Sequence, residues 1–194
     1  MIIAAKYFFN DKNNIMESEY DSLLQELYTA ILSIDAEKLK TKKGREKTNT
    51  DKLLYNPKEL NTSIKNKLNP GGWIPFKLKC EYPTALYTKS YIDKYGSSIP
   101  KFSGATREID FVKGDLGVEV QFGKYAFMAY DILGKMVILH NRRIINAGVE
   151  IVPVRRMSKS MSTGVSYFEQ IVWDLENRGA SNLDIPVLLI GIDS

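Results

Sequence analysis

Glu108-Ile109-Asp110-Phe111-Val112-Lys113-Gly114-Asp115-Leu116-Gly117-Val118-Glu119-Val120-Gln121-Phe122 is the stretch on which the reading of this chain turns. Two alternating runs flank Gly114-Asp115, a dipeptide suited to the positive φ of a two-residue turn, so two antiparallel strands are predicted. If Lys113 faces Leu116, Asp110 falls opposite Glu119 and Glu108 opposite Gln121, with cross-strand Cβ atoms about 5 Å apart. Alternation puts Ile109, Phe111, Leu116, Val118, Val120 and Phe122 on one apolar face and Asp110, Glu119 and Gln121 on the other. Carboxylates that close repel until a cation neutralises them, which makes the polar face a candidate site for one hard cation. An edge hairpin with one wet face carries the same pattern, and the hairpin alone leaves both readings open.

Around this hairpin lies a chain of 194 residues with 44% hydrophobic content, enough for one substantial core, and a single domain over residues 1–194 is expected. The lone Cys80 excludes an intramolecular disulfide framework and suits a reducing cytoplasm. The apolar opening, Met1 to Phe9, lacks a basic lead-in and is too short to span a bilayer, so it reads as a strand and no membrane role is indicated. The net charge of +4 has one source: Lys38 to Lys52 carries seven basic and two acidic residues, leaving 20 basic against 21 acidic elsewhere. Such a run is usually a solvated loop; on a DNA-binding protein it would neutralise phosphates.

In chain order, Tyr20, Leu23, Leu24, Leu27 and Ile31 recur at helical spacing, and the Lys38–Lys52 segment reads as a mobile loop. Pro57 to Leu68 predicts a short helix closed by Pro70-Gly71-Gly72. Trp73 to Tyr95, broken by Pro75 and Pro83, predicts at most one short helix, with packing the favoured role of Tyr82, Tyr87, Tyr91 and Tyr95. Tyr125 to His140 is a helix apolar on more than one face, which must be covered on all sides, by the protein or by a second subunit. His140, the only histidine, reads as a terminal or packed imidazole, so zinc chemistry and His-dependent triads lack support. Ala147–Val154 and Val187–Ile192 are buried strands. Between them Ser166 to Glu169 fits a capping box opening a helix that Gly179 closes. The fold class expected is α/β, a mixed central sheet flanked by helices.

Ile109-Asp110, eight residues, then Glu119-Val120-Gln121 resembles the nuclease motif PD-(D/E)XK in the variant with glutamine at its final position. Phe122-Gly123-Lys124-Tyr125-Ala126-Phe127 makes the chain similar to the type II restriction endonucleases typified by BglII and BstYI, with BamHI more distant. Ser33-Ile34-Asp35-Ala36-Glu37, Gly148-Val149-Glu150-Ile151 and Leu188-Leu189-Ile190-Gly191 extend the likeness from Ile31 onward, toward the BstYI side of the group.

The resemblance implies a restriction-endonuclease fold and Mg²⁺-dependent hydrolysis of double-stranded DNA. It implies Asp110, Glu119 and the Val120 carbonyl as metal ligands and Gln121 as a third catalytic position without positive charge. Lys124 and the Ser162-Thr163-Gly164 loop fall where the family reads bases, while Lys42 and Lys43 would hold phosphates. A GATC-centred palindrome, first choice purine–GATC–pyrimidine, cut to leave four-base 5′ overhangs, would be met by a homodimer. A cognate methyltransferase would act on the same site without binding the enzyme. A non-enzymatic DNA-binding module and a non-specific metal-dependent nuclease are the competing readings.

Overall fold

The structure is a computed structural model that describes residues 1–46, 49–81, 86–98, 105–124, 129–177 and 185–194. Its frame is a six-stranded sheet in the order β1-β8-β7-β6-β5-β4. The central strands β6 (Leu116–Val120), β7 (Ala147–Pro153) and β8 (Val187–Asp193) are parallel, buried along their whole length. Parallel strands covered on both faces read as apolar runs, which is why β7 and β8 are visible in the sequence. On the outside β1 (Ile2–Phe9) pairs antiparallel with β8, and β5 (Thr106–Lys113) and β4 (Ile74–Lys79) continue the sheet antiparallel from β6. The architecture is the expected mixed α/β.

The helices follow local signals. Helix α1 (Ile15–Glu19) starts where the Asp11 carboxylate accepts from the Ile15 N–H (2.7 Å), and α2 (Asp21–Leu32) buries Leu24, Leu27 and Ile31. Helix α3 (Pro57–Leu68) has the expected bounds, with Pro57 in its first turn and the Asn56 side chain accepting from the Lys58 N–H. After β6 a π-helical stretch, Asp131–Met136, runs into α5 (Val137–Asn141); Ile132, Met136 and Leu139 point into the core, while Tyr130 and Ile138 remain exposed. Phe127 and Met128, part of the expected all-round apolar face, lie outside the described residues. His140 Nδ1 is 3.1 Å from the Ile145 carbonyl oxygen, a packed imidazole as expected. No described helix is long and apolar enough to cross a membrane.

Four expectations are corrected. Trp73–Tyr95 holds a strand, β4, as well as helix α4 (Lys89–Tyr95); β4 is an edge strand whose register shifts at Pro75, where a missing N–H costs no ladder bond. Tyr87, just before α4, stacks on Tyr91 at 5.1 Å, and Tyr91 meets Tyr95 in a tilted contact at 4.9 Å; all three stay exposed, so they pack on each other and not in the core, while Tyr82 lies outside the described residues. The basic segment is no structureless loop: β2 (Lys42–Lys43) pairs with β3 (Leu53–Leu54) in a two-stranded ribbon anchored by buried Leu54. The capping box at Ser166 does not form, because the Ser166 N–H and hydroxyl both donate to the Gly123 carbonyl and α7 (Phe168–Asn177) begins two residues later. Gly179, its expected end, lies outside the described residues. A short α6 (Arg155–Ser158) precedes it.

Candidate active site

The β5–β6 hairpin turns at Gly114, whose φ of 60° is the left-handed region glycine enters freely, and its ladder pairs Lys113 with Leu116, Val112 with Gly117 and Phe111 with Val118. This is the expected register, and all six residues of the expected apolar face are buried. Past Phe111 and Val118 the two strands part. The Val120 N–H donates to the Asp110 carboxylate (2.9 Å), and the Gln121 N–H donates to the Ile151 carbonyl of β7. The parting leaves Asp110 and Glu119 facing one another at the fork. Glu108 does not sit opposite Gln121 as expected: it pairs across β4 with Lys77, 3.0 Å away, because β4 takes up that edge of β5.

Burial dominates the electrostatics. Glu119 is 4% exposed, and desolvation together with the Asp110 charge pushes its pKa up to about 9. Burial also raises Asp110, against the Val120 N–H bond that favours its ionised form. Beside them lie three residues that the sequence did not single out. Lys135 Nζ is 2.6 Å from Glu119 Oε1 and 2.7 Å from Asp131 Oδ1. Burial pulls its pKa down, but the two carboxyl groups outweigh burial and Lys135 keeps its proton; Glu119 accepts that bond in either protonation state. Glu150, in register with Glu119 on β7, is fully buried with neither oxygen bonded, and desolvation holds it well above the usual carboxylate range. The signal that could have found these residues is a charge inside an apolar run, as in Val149-Glu150-Ile151; their convergence is tertiary.

Gln121 is held at both ends. Its Nε2 donates to Asp131 Oδ2 (3.0 Å) and its Oε1 accepts from the Gly123 N–H (2.7 Å). From Asp110 a groove of about 370 Å³ opens between Pro75 of β4 and the polar face of α3, where Lys58, Asn61 and Lys65 line it. The oxygen donors Asp110 and Glu119 suit a hard divalent cation, since like charges drawn together at a largely desolvated fork gain most from one.

Lys124 is exposed and bridges to Val165, laying the Ser162-Thr163-Gly164 loop alongside the residues that follow the hairpin. The ribbon closes over the same loop: Lys42 Nζ donates to the Ser162 hydroxyl, and Glu46 accepts from both the N–H and the hydroxyl of Thr163. Lys43 is exposed on the ribbon without joining this contact. Glu46 is a further residue that sequence reasoning missed, an acid within a run read as basic.

Comparison with known proteins speaks to both fold and family. The crystal structure of BglII complexed with a DNA 16-mer superposes with a TM-score of 0.67 at 22% identity, covering 96% of this chain and 74% of that one. Free BglII gives a TM-score of 0.59 at 19% identity, covering 98% and 79%. At these identities the likeness shows the fold. Curated protein sequences give no match. The family model described as restriction endonuclease BglII/BglIII matches residues 4–192, and restriction endonucleases of this family generally use a divalent metal. The chain thus belongs to the BglII family of restriction endonucleases and is a site-specific deoxyribonuclease.

Proposed function

We propose that the chain hydrolyses double-stranded DNA at a GATC-centred palindrome, purine–GATC–pyrimidine by first choice, with Mg²⁺ held by Asp110, Glu119 and the Val120 carbonyl. The observation that carries this reading is the fork between β5 and β6, where the buried Glu119 carboxylate and the half-buried Asp110 carboxylate face each other at the mouth of a groove lined by Lys58 and Lys65. When bound, Mg²⁺ supplies charge neutralisation at the phosphorus and an acidified water. The chain's own residues bind and orient. Lys58 and Lys65 give a strand backbone in the groove its counter-charge. Gln121, fixed by Asp131 and Gly123, presents a remaining amide hydrogen to a phosphate or water oxygen. A water oxygen bonds to phosphorus, a phosphorus–oxygen bond to the sugar breaks, and the water's proton leaves as the departing oxygen gains one.

Base reading goes to Lys124 and to Ser162, Thr163 and Gly164, because the isolated bridge from Lys124 to Val165 gathers them on one surface. Lys42 and Lys43 on the adjoining ribbon serve as phosphate contacts. On this reading the chain stands on the BstYI side of its family, leaves four-base 5′ overhangs, works in the cytoplasm beside a methyltransferase of the same specificity, and acts as one domain. A two-fold palindrome is best matched by a C2 homodimer built on the helix that contains Tyr130 and Ile138, both exposed.

Plasmid carrying GATC sites, incubated with and without Mg²⁺, tests the reading. Discrete fragments with 5′ extensions are expected. A smear would make the enzyme non-specific, and intact but retarded plasmid would make it a binding module. Sedimentation with a cognate duplex tests the assembly, where a persistent monomer would end the dimer proposal.

A further inference from the structure

Four carboxyl groups and one ammonium share the open end of β6. Glu119 and Glu150 are register neighbours on adjacent parallel strands, Asp131 comes from the π-helical stretch, and Asp110 faces Glu119 across the fork. Lys135, its side chain 12% exposed, bonds Glu119 and Asp131 at once. Asp131 extends the chain of bonds, since its other oxygen accepts from Gln121. Lys135 therefore touches one candidate metal ligand directly and reaches the uncharged third position of the motif through a single carboxylate.

We infer that Lys135 supplies the positive charge of this active site from a separate element, balancing the charge beside Glu119 and acting as a positioning residue that, through Asp131, orients Gln121. The inference rests on the nuclease reading above and extends it to a residue outside the hairpin motif. Two observations separate it from a merely structural ion pair. Burying an ammonium between two carboxylates is a poor way to stabilise a fold, because desolvation offsets the attraction and apolar side chains of similar volume do as well or better. In addition, Asp131 and Lys135 stand on a π-helical stretch, a backbone form that is rare and occurs disproportionately at functional sites. The stretch lies close to the sheet, with Met136 packed over Gly148 of β7, where an added Cβ would lie 2.5 Å from Met136 Sδ. That approach brings Lys135 within reach of β6.

The full-length K135Q and K135R variants, beside wild type and D110A, test this with three readouts: single-turnover plasmid cleavage in Mg²⁺, Mn²⁺ binding without DNA, and near-ultraviolet circular dichroism. K135Q is expected to cleave on the order of 100-fold more slowly, the scale on which removing one preorganised electrostatic group slows an enzyme. It should bind Mn²⁺ no more weakly than wild type, because losing an ammonium leaves the carboxylates more attractive to a cation. K135R keeps the charge with a different shape and should cleave about tenfold faster than K135Q. Cleavage by K135Q at the wild-type rate would overturn the inference, and so would a loss of Mn²⁺ binding in step with cleavage, which would make Lys135 only a builder of the metal site. If K135Q does not fold, D131N decides: it keeps the shape and the Lys135–Glu119 bond, and unchanged cleavage by it would overturn the inference. An active D110A would instead sink the nuclease-site reading itself, whereas inactive D110A beside fully active K135Q sinks only the role of Lys135.

Discussion

Lys135 sits inside the protein between two carboxyl groups, while Lys42 and Lys43 stand in solvent on the β2–β3 ribbon. Both regions are dense in charge, yet the physics differs. In the interior cluster, packing fixes each position and weak screening lets one charge alter its neighbours, as Asp110 does to Glu119. On the ribbon, water and salt weaken each charge, so what counts toward a polyanion is their number. The first arrangement suits chemistry at a point and the second suits attraction over a surface.

The widest gap between the two regions should appear on deleting single carboxylates. D110A and E119A are expected to lower Mg²⁺-dependent cleavage by on the order of 1000-fold or more while keeping the fold by circular dichroism. A variant that still cleaved near the wild-type rate would make the interior cluster as expendable as a surface ion pair.

Next in size is the effect of pH on the metal-free protein. Between the unfolded carboxylate pKa and the value near 9 that burial gives Glu119, the folded state holds the extra proton. That contribution is complete below the unfolded pKa and is lost as pH rises through the folded one. E119Q, which has no proton to lose, should be more stable than wild type at pH 8 by roughly 1–3 kcal/mol, with a flatter dependence on pH. Denaturant unfolding in chelator at pH 5 and pH 8 measures this, and parallel pH dependences in the two proteins would contradict it.

On the outer surface, K124A and T163A should change discrimination at the outer base pair by about 1–3 kcal/mol, read as the ratio of cleavage rates on sites differing there. Smallest per residue is the ribbon: neutralising Lys42 and Lys43 should weaken binding to every duplex and lower the salt slope by about one for each phosphate that is no longer neutralised. Equal effects of both classes on cognate and unrelated DNA would erase the distinction between reading and holding.

Much of the frame was legible because its signals are local. Alternation placed the hairpin and its register, apolar runs marked β7 and β8, and Pro57 with Gly71-Gly72 bounded α3. Strand β4 escaped because an edge strand with Pro75, Lys77 and Lys79 has neither continuous apolarity nor an uninterrupted ladder to announce it. In the candidate site, Asp110 and Glu119 could be paired on paper because one turn relates them. Asp131, Lys135 and Glu150 could not, since only the docking of a helix and the laying of β7 against β6 bring them there.

Glu46 gives the proposed base-reading surface a competitor of its own. The Thr163 N–H and hydroxyl hold its carboxyl below the usual range, so at neutral pH these donors face a tethered anion and not bare water. A duplex that seeks them competes with an acceptor whose effective concentration is set by the ribbon's own tether. Affinity then measures an exchange of acceptors, and a sequence that cannot replace both bonds of the carboxylate leaves the loop closed on itself.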